Sequence, residues 1–271
     1  MSHRKAAALA LLVGWLAVAA GCGEKRPLLR LAVTTSTYNS GLLDVILPPF
    51  EKQAGVSIRV LAVGTGQALA LGERGEVDVV LVHARKREEQ FMAAGHGADH
   101  REIMSNEFVI AGPASDPAGI SGRDALDALV RIAKKQAAFV SRGDDSGTHI
   151  RERDLWKQTG ISPAWDSYFE VGQGMGKSLT IANEKLAYVL VDRATMLARE
   201  NTVELVVLCE RGKNLHNPYS AITVRADRVS AETFRTAQQF LKYLTSADTR
   251  RRIAGYQKNG RPFFVPATET E

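Results

Sequence analysis

The chain has 271 residues, of which 45% are hydrophobic and 24% are charged, and its formal net charge is +5. This composition is typical of a soluble globular protein with one large or two modest domains. Acidic and basic residues are interspersed, and no run of Lys and Arg contains aromatic residues. The composition therefore argues against a basic nucleic-acid-binding surface, and we expect no nucleic acid partner.

The N-terminal segment has the pattern of an export signal. Arg4 and Lys5 form a basic start, residues 6–20 form an apolar run, and small residues close it. The run is too short for a comfortable membrane span, so it is typical of a signal that is removed after export. We therefore predict an exported protein, located in the periplasm or at the cell surface.

Cys22 ends this segment, which resembles a bacterial lipoprotein signal. We predict that residues 1–21 are removed, that Cys22 carries a lipid that anchors the protein to a membrane, and that residues 22–28 form a tether. The alternative is a chance cysteine at a plain cleavage site. The other cysteine, Cys209, follows an apolar stretch and is predicted to be a small buried residue.

From Leu29 onward, short apolar runs alternate with segments of helical periodicity. Strands separated by helices predict an α/β fold with mainly parallel sheets that are covered on both faces. In such sheets, ligands gather at the carboxyl ends of the strands. The predicted strands are 29–33, 57–63, 77–82, 108–111, 137–140, 186–191, 203–208 and 221–224.

Three turns rich in hydrogen-bond donors follow predicted strands, at residues 34–37, 64–67 and 141–148. Each turn leads into a segment of helical periodicity. The backbone N–H groups at the start of a helix have no partner within the helix and can bind an anion. The alternative is that the Asp, Ser and Thr residues of these turns cap helices for purely local reasons.

The turn of residues 141–148 is the richest in donors. Arg142 offers a forked, charged donor, and Ser146 and Thr148 offer hydroxyl groups. A helix is predicted after it, from Ile150 to a stop at Gly160. The three turns together predict an anion-binding site at one edge of the sheet.

The segment 172–178 resembles a phosphate-binding P-loop, but its spacing differs. The motif requires Gly where Val171 stands, and Gly172 lies one residue too close to the Gly-Lys-Ser end. We therefore interpret this segment as a glycine-rich loop whose backbone can approach a ligand.

The sequence contains no recognisable catalytic or metal-binding pattern. The histidines have no metal-ligand spacing, and His83 and His149 are interpreted as structural or solvated residues. No base can be assigned to Ser36 or Ser146. We expect no cofactor, no protein-bound metal ion and no enzymatic activity.

Six stretches of the chain are similar to the substrate-binding component of tungstate ABC transporters. They occur in the same order as in that family, and the resemblance as a whole runs from about residue 29 to residue 266, which is nearly the whole chain after the export signal. The stretches are 33–43, 63–69, 79–84, 106–110, 140–149 and 217–219.

The resemblance implies a two-lobed periplasmic-binding-protein fold of the second type, with two crossovers between the lobes. Residues 29–112 together with 212–266 would form one lobe, and residues 113–211 would form the other. Residues 267–271 would be a tail. The ligand would be held in the cleft between the lobes.

The resemblance also implies a ligand set, a cargo and a partner. The cargo would be tungstate, with molybdate as a close alternative, and the partner would be an ABC permease that receives it from a monomeric binding protein. The metal would be bound only as its oxyanion. The implied ligand residues are Thr35, Ser36, Thr65 and Gly66 from the first lobe, and Arg142, Ser146, Gly147 and Thr148 from the second.

Two alternatives remain open at this point. The turn of residues 141–148 also resembles that of phosphate receptors, so a phosphate or sulfate receptor of the same fold is possible. If Asp144 or Asp145 faced the ligand, phosphate would be favoured, because a carboxylate accepts from a protonated phosphate and repels a fully ionised tungstate. The alternative of a different class is an exported enzyme that acts on a phosphorylated small molecule.

Overall fold

A computed structural model of the chain describes residues 26–210, 212–258 and 260–268. The predicted export signal and Cys22 lie outside these residues. Within the described part of the chain, no helix is long and apolar enough to cross a membrane.

The described residues form twelve β-strands and ten α-helices. The strands are β1 (Leu28–Thr34), β2 (Ser57–Val63), β3 (Val79–Val82), β4 (Gly97–Gly112), β5 (Phe139–Ser141), β6 (Tyr168–Glu170), β7 (Tyr188–Asp192), β8 (Val206–Cys209), β9 (His216–Val224), β10 (Gln257–Lys258), β11 (Arg261–Pro262) and β12 (Val265–Pro266). The helices are α1 (Thr35–Asn39), α2 (Leu43–Ala54), α3 (Thr65–Glu73), α4 (Arg85–Ala93), α5 (Ala125–Lys134), α6 (Gly147–Thr159), α7 (Met175–Glu184), α8 (Arg193–Arg199), α9 (Ala231–Leu244) and α10 (Ala247–Gly255).

The long strand β4 connects two sheets. On one side the strand order is β2-β1-β3-β9-β4, and on the other it is β4-β7-β5-β6. Strands β2, β1 and β3 are parallel to one another, as are β6, β5 and β7, whereas β4 and β9 run antiparallel to their neighbours. This arrangement confirms the predicted α/β class.

Strand β4 changes its partners within its own length. It pairs with β9 from Gly97 to Glu107 and with β7 from Phe108 onward. The sequence placed the first lobe boundary after Gly112, at the end of this strand. Hydrophobicity predicted only the apolar end of β4, and the change of pairing partner inside a continuous strand has no signal in the sequence.

Helices cover both faces of each sheet, because alternate strand residues point to opposite faces. In the first sheet, Leu31 packs in a cluster with α2 and α9, and Ala32 packs in another with α3 and α4. In the second sheet, Phe139 packs with α5 and α6, and Val140 packs with α7. Each lobe therefore has apolar packing on both faces of its sheet.

Helix α8 connects the lobes although it follows a strand of the second sheet. Its residues Ala194 and Leu197 are buried in the first-lobe cluster, beside Leu42 and Leu43. The sequence assigned residues 113–211 to the second lobe as a whole. The packing of α8 instead gives the first lobe part of its core.

Helix α6 begins earlier than predicted. Ser146 accepts a hydrogen bond from the backbone N–H of His149 at 3.3 Å and thereby caps the helix at Gly147. The helix ends at the predicted stop, where Gly160 adopts a left-handed backbone with φ of 72°. The early start brings Gly147 and Thr148 into the first helical turn.

Candidate functional site

All predicted site residues lie at, or just before, the start of a helix that follows a strand. Helix α1 after β1 contains Thr35 and Ser36, and α3 after β2 begins with Thr65 and Gly66. Helix α6 after β5 begins with Gly147 and Thr148, and the turn before it contains Arg142 and Ser146. The starts of these helices offer backbone donors at the carboxyl ends of the strands.

A hydroxyl network organises the turn after β1. Thr34 Oγ1 lies 3.2 Å from Ser36 Oγ and 2.7 Å from Thr37 Oγ1, and it also accepts from the backbone N–H of Thr37 at 3.4 Å. The hydroxyl of Ser36 also lies close to that of the buried Tyr219. Thr34 therefore fixes the start of α1, and with it the positions of Thr35 and Ser36.

Thr65 carries an unused donor. Its side chain is fully buried, and its Oγ1 has no hydrogen-bond partner among the described residues. Leaving a hydroxyl buried without a partner costs ~1–3 kcal/mol. Beside it, Gly66 lies under Arg87, since a Cβ at residue 66 would stand 2.8 Å from Arg87 Nη1.

Arg142 carries a second unused donor, in the other lobe. The residue is 4% exposed, and its Nη2 donates to Asp144 Oδ2 at 2.5 Å. Its Nη1 donates to Thr148 Oγ1 at 3.4 Å, whereas its Nε is buried and has no partner in the described part of the chain. The other oxygen of Asp144 accepts from the backbone N–H of Ser146 at 3.2 Å.

Asp145 lies at the rim of the site. It adopts a left-handed backbone with φ of 54°, and its side chain is 62% exposed. Its Oδ1 lies 3.6 Å from Arg87 Nη2 of the first lobe and 3.5 Å from Arg153 Nη1 of the second. The contact with Arg87 is an ion pair between the lobes, and it belongs to the rim because both side chains reach solvent.

His83 and Gly147 form a close contact between the lobes. His83 follows β3 of the first sheet, and a Cβ at residue 147 would lie 2.7–3.1 Å from three atoms of the His83 ring. Real Cβ atoms essentially never come as close as the shortest of these distances. Gly147 is therefore required for the helix start to approach His83.

The surroundings of His83 keep its ring neutral. The ring is 6% exposed, stacks on Tyr219 with 4.6 Å between centroids, and hydrogen bonds to Asn217 through Nδ1 at 2.9 Å. Burial lowers the pKa of His83 to about 4; the bond to Asn217 opposes this shift, and the charge of Arg142 adds to it. The structure thus buries His83, and it buries His149 to the same extent, so neither of these two histidines is solvated.

Two asparagines connect the contact between His83 and Gly147 to strands β4 and β9. Asn217 of β9 donates from Nδ2 to Asn106 Oδ1 of β4 at 2.7 Å and to the Tyr219 hydroxyl at 3.2 Å. Both asparagines are buried. They lie in stretches that carried the family resemblance, but no feature of the sequence indicates that they pair.

Asp192 is a buried carboxylate near Arg142 that sequence reasoning did not select. It caps α8 by accepting from the backbone N–H of Thr195 at 2.8 Å and from its hydroxyl at 2.7 Å. Burial raises the pKa of Asp192, and the Thr195 bonds and the charge of Arg142 oppose the shift.

A cleft of about 720 Å³ adjoins the turn after β1. It contains the start of α7, so the segment 172–178, interpreted as a glycine-rich loop, is in part a helix start with Gly174 as the residue before it. The residues that line the cleft are Thr35, Ser36, Asn39, Ser40, Gly174, Met175, Gly176, Lys177, Ala194, Thr195, Ala198 and Arg199.

Glu152 supports the second-lobe turn from behind. It lies on α6, is 1% exposed, and its Oε1 accepts from the Tyr168 hydroxyl at 2.7 Å and from Trp156 Nε1 at 3.2 Å. Burial raises its pKa to about 7, although these hydrogen bonds act in the opposite direction. The sequence did not predict a buried glutamate, because a charged residue on a helix usually faces solvent.

Comparisons with known proteins identify the family. A sequence profile of the PBP superfamily domain matches residues 24–248. The chain belongs to this superfamily. The tungstate-binding protein TupA of Peptoclostridium acidaminophilum is 42% identical over 241 residues, which cover 87% of this chain and 84% of that protein.

Two solved structures are similar to the chain over most of its length. The tungstate ABC transporter structure from Geobacter sulfurreducens is 47% identical with a TM-score of 0.77, and the match covers 84% of this chain and 98% of that one. The tungstate-binding protein TupA from Desulfovibrio alaskensis G20 is 41% identical with a TM-score of 0.78, over 90% of this chain and 100% of that one. The family resemblance and the two-lobed fold predicted from the sequence are confirmed.

The raised pKa of Glu152 predicts how the free energy of unfolding changes with pH. Its pKa is 4.5 ordinarily and about 7 in the folded protein, so between these values the folded state retains a proton that the unfolded chain has lost. The resulting stabilisation is complete below pH 4.5 and is lost as the pH rises through 7. In Glu152→Gln, which does not titrate, this dependence should be absent. The difference in the free energy of unfolding between wild type and variant should decrease by ~3 kcal/mol across this range.

Urea denaturation at a series of pH values measures this difference. Glu184→Gln is a matched control, because Glu184 is exposed on α7 and its replacement should leave the pH dependence unchanged. If the difference in the free energy of unfolding between wild type and Glu152→Gln stayed constant from pH 4.5 to 7, the raised pKa of Glu152 would be contradicted.

Proposed function

We propose that this chain is an extracytoplasmic solute-binding protein that captures tungstate and delivers it to an ABC permease. The observation that carries the proposal is that Thr65 Oγ1 and Arg142 Nε, two of the seven buried side-chain atoms without a hydrogen-bond partner among the described residues, come from different lobes. An oxyanion held between the lobes would give both donors an acceptor. The names of the relatives, which are tungstate-binding proteins, support tungstate as that oxyanion.

The proposed mechanism follows from the hydration of the ligand. A tetrahedral dianion that leaves water loses a large hydration free energy. Roughly seven to ten donors must replace its water shell, and each charge-assisted hydrogen bond contributes ~1.5–3 kcal/mol. Because the donors are divided between two lobes, they all reach the ligand only when the cleft is closed. The ligand therefore stabilises the closed form, which the permease would recognise.

The contacts of Asp144 favour tungstate over phosphate. One of its carboxylate oxygens accepts from Arg142 and the other from the backbone of Ser146, so both are used within the turn. Asp145 is occupied at the rim by Arg87 and Arg153. A protonated phosphate would need a carboxylate as acceptor, and these two are already engaged. A phosphate or sulfate receptor is therefore the second candidate.

The contacts of two buried histidines favour a binding protein over an enzyme. The ring of His83 is bonded to Asn217, and the ring of His149 accepts from the backbone N–H of Asp145 at 3.0 Å. In the described part of the chain, neither ring is hydrogen bonded to Ser36 or Ser146, and no cluster of three or more His, Cys, Asp or Glu could hold a metal ion. The proposed cargo is thus bound as an intact oxyanion.

The proposal includes the location of the protein. Export rests on the N-terminal signal, and anchoring rests on Cys22 as the lipidated residue. A tethered monomer near the membrane would exchange its cargo with a permease over a short distance.

Titration calorimetry with tungstate, molybdate, sulfate and phosphate tests the proposed function. We expect tungstate and molybdate to bind and to displace each other, because the two anions differ little in size. Sulfate and phosphate should bind far more weakly, because a cavity set for longer metal–oxygen bonds leaves them with too few donors. Preferential binding of phosphate would overturn the proposal in favour of the second candidate.

Arg142 should carry most of the charge recognition. Arg142→Ala is expected to weaken tungstate binding by ~3–5 kcal/mol, the range for removing one partner of a buried charge pair. Arg142→Lys should recover only part of this loss, because Lys keeps the charge but lacks the fork. Calorimetry on both variants measures the effect.

The competing role for Arg142 is structural, as the partner of Asp144. In that case Arg142→Ala would lower the melting temperature of the ligand-free protein and leave tungstate affinity nearly unchanged. The melting curves of the free variants, recorded beside the calorimetry, separate the two roles. Ser146→Ala, which removes one neutral donor, should cost about 1–3 kcal/mol of binding free energy.

Because Gly147 and His83 are in close contact, a larger residue at position 147 should hinder closure of the cleft between the lobes. In Gly147→Ala the new methyl group would meet the His83 ring, and overpacking of this kind typically costs ~1–3 kcal/mol. We expect tungstate affinity to decrease about tenfold or more. The double variant His83→Ala/Gly147→Ala should bind more tightly than Gly147→Ala, because the clashing ring is gone. Equal affinities of Gly147→Ala and wild type would show that the two residues need not touch in the bound form.

A further inference from the structure

The cleft beside the turn after β1 is larger than the proposed cargo requires. Its volume of about 720 Å³ is several times that of a tetrahedral oxyanion. It adjoins the proposed binding site, because Thr35 and Ser36 line it. Residues of both lobes form its walls, since α1 follows a strand of the first sheet and α7 belongs to the second lobe.

The charged residues that line this cleft are both cationic. They are Lys177 on α7 and Arg199 at the end of α8. Neither forms an ion pair within the described residues, whereas nearby Arg193 pairs with Glu107 and Glu210 at 2.9 Å. Arg199 lies over α7, because a Cβ at Gly176 would stand 2.8 Å from its Nη2. The cleft therefore has an uncompensated positive charge.

The proposed binding site has much less charge to attract an anion from a distance. Its buried cation, Arg142, is bonded to the carboxylate of Asp144 and lies near the buried Asp192. The cations at its rim, Arg87 and Arg153, both lie beside the carboxylate of Asp145. A paired charge has a weak field beyond its immediate surroundings, and charges more than about 10 Å away are screened at 0.1 M salt. The donors that would hold the anion are therefore not the groups best placed to collect it.

We propose that this cleft is a capture site for oxyanions, in which Lys177 and Arg199 attract the dianion and the hydroxyls of Thr35 and Ser36 receive it on its way to the closed site. This inference rests on the proposed function. Clefts lined by charges of one sign raise the local concentration of an oppositely charged ligand and increase association rates by about 10- to 1,000-fold. The two cations would thus set how fast the anion arrives, and the donors of the closed site would set how slowly it leaves.

Stopped-flow mixing with sodium tungstate tests the capture site, with tryptophan fluorescence as the signal. Trp156 lies on α6, whose first turn forms part of the proposed site. In Lys177→Gln/Arg199→Gln we expect the association rate constant to decrease about tenfold at low salt. The dissociation rate constant should stay within about twofold of wild type. The difference in association rate should shrink as salt is raised, because the Debye length falls to about 3 Å at 1 M.

Lys134→Gln/Lys135→Gln is the matched control. It removes the same number of positive charges from exposed positions at the end of α5, outside the cleft, and should associate at the wild-type rate. Because Arg199 packs over Gly176, Lys177→Gln alone is the second variant, and it should show an intermediate decrease even if the double variant is unstable.

The possible outcomes separate this inference from the proposed function. Absence of tungstate binding to the wild type, by calorimetry as well as fluorescence, would overturn both. Wild-type binding with unchanged association in the Lys177 and Arg199 variants would overturn the capture site alone. An effect confined to dissociation would also overturn it, since the two cations would then belong to the closed site. An equal decrease in the Lys134/Lys135 control would attribute the effect to net charge and overturn it as well.

Discussion

A buried hydrogen-bond donor without an acceptor costs free energy, and two of the seven buried polar side-chain atoms that lack a partner in the described part of the chain belong to the proposed binding site. Thr65 Oγ1 belongs to the first lobe and Arg142 Nε to the second. Their cost can be recovered by an acceptor that lies between them, which is the property of a ligand clamp. The fold supports this arrangement, because the parallel strands of each sheet bring the helix starts to their carboxyl ends.

The same site is connected to the elements that join the lobes. Strands β4 and β9 pair up to the point where the two sheets meet, and there Asn106 and Asn217 form a hydrogen bond of 2.7 Å. Asn217 also holds His83, whose ring touches Gly147 at the start of α6. A movement of Asn217 would therefore be transmitted to Gly147 through the side chain of His83. Helix α8, whose residues pack in the first-lobe core, limits how independently the lobes can move.

Local chemistry made part of this site predictable from sequence. Ser146 and Gly160 mark the start and end of α6 because capping depends on neighbouring residues, and the donors Arg142 and Thr148 could be named from their turn. Features that depend on distant residues could not be predicted. The contact of Gly147 with His83 joins positions far apart in the chain, and the pairing change within β4 depends on which strand lies beside it. The burial of Glu152 was missed because its partner Tyr168 comes from a different element.

The charge distribution separates the tasks of collecting and holding an anion. Arg142 shares its charge with Asp144, so the closed site would hold a dianion mainly through neutral hydroxyl and backbone donors. Neutral donors distinguish anions by the distances they allow rather than by charge, so size becomes the basis of selectivity. A site of this kind would attract its ligand only weakly from solution. The unpaired cations of the neighbouring cleft supply that attraction without adding a charge that would hold sulfate or phosphate equally well.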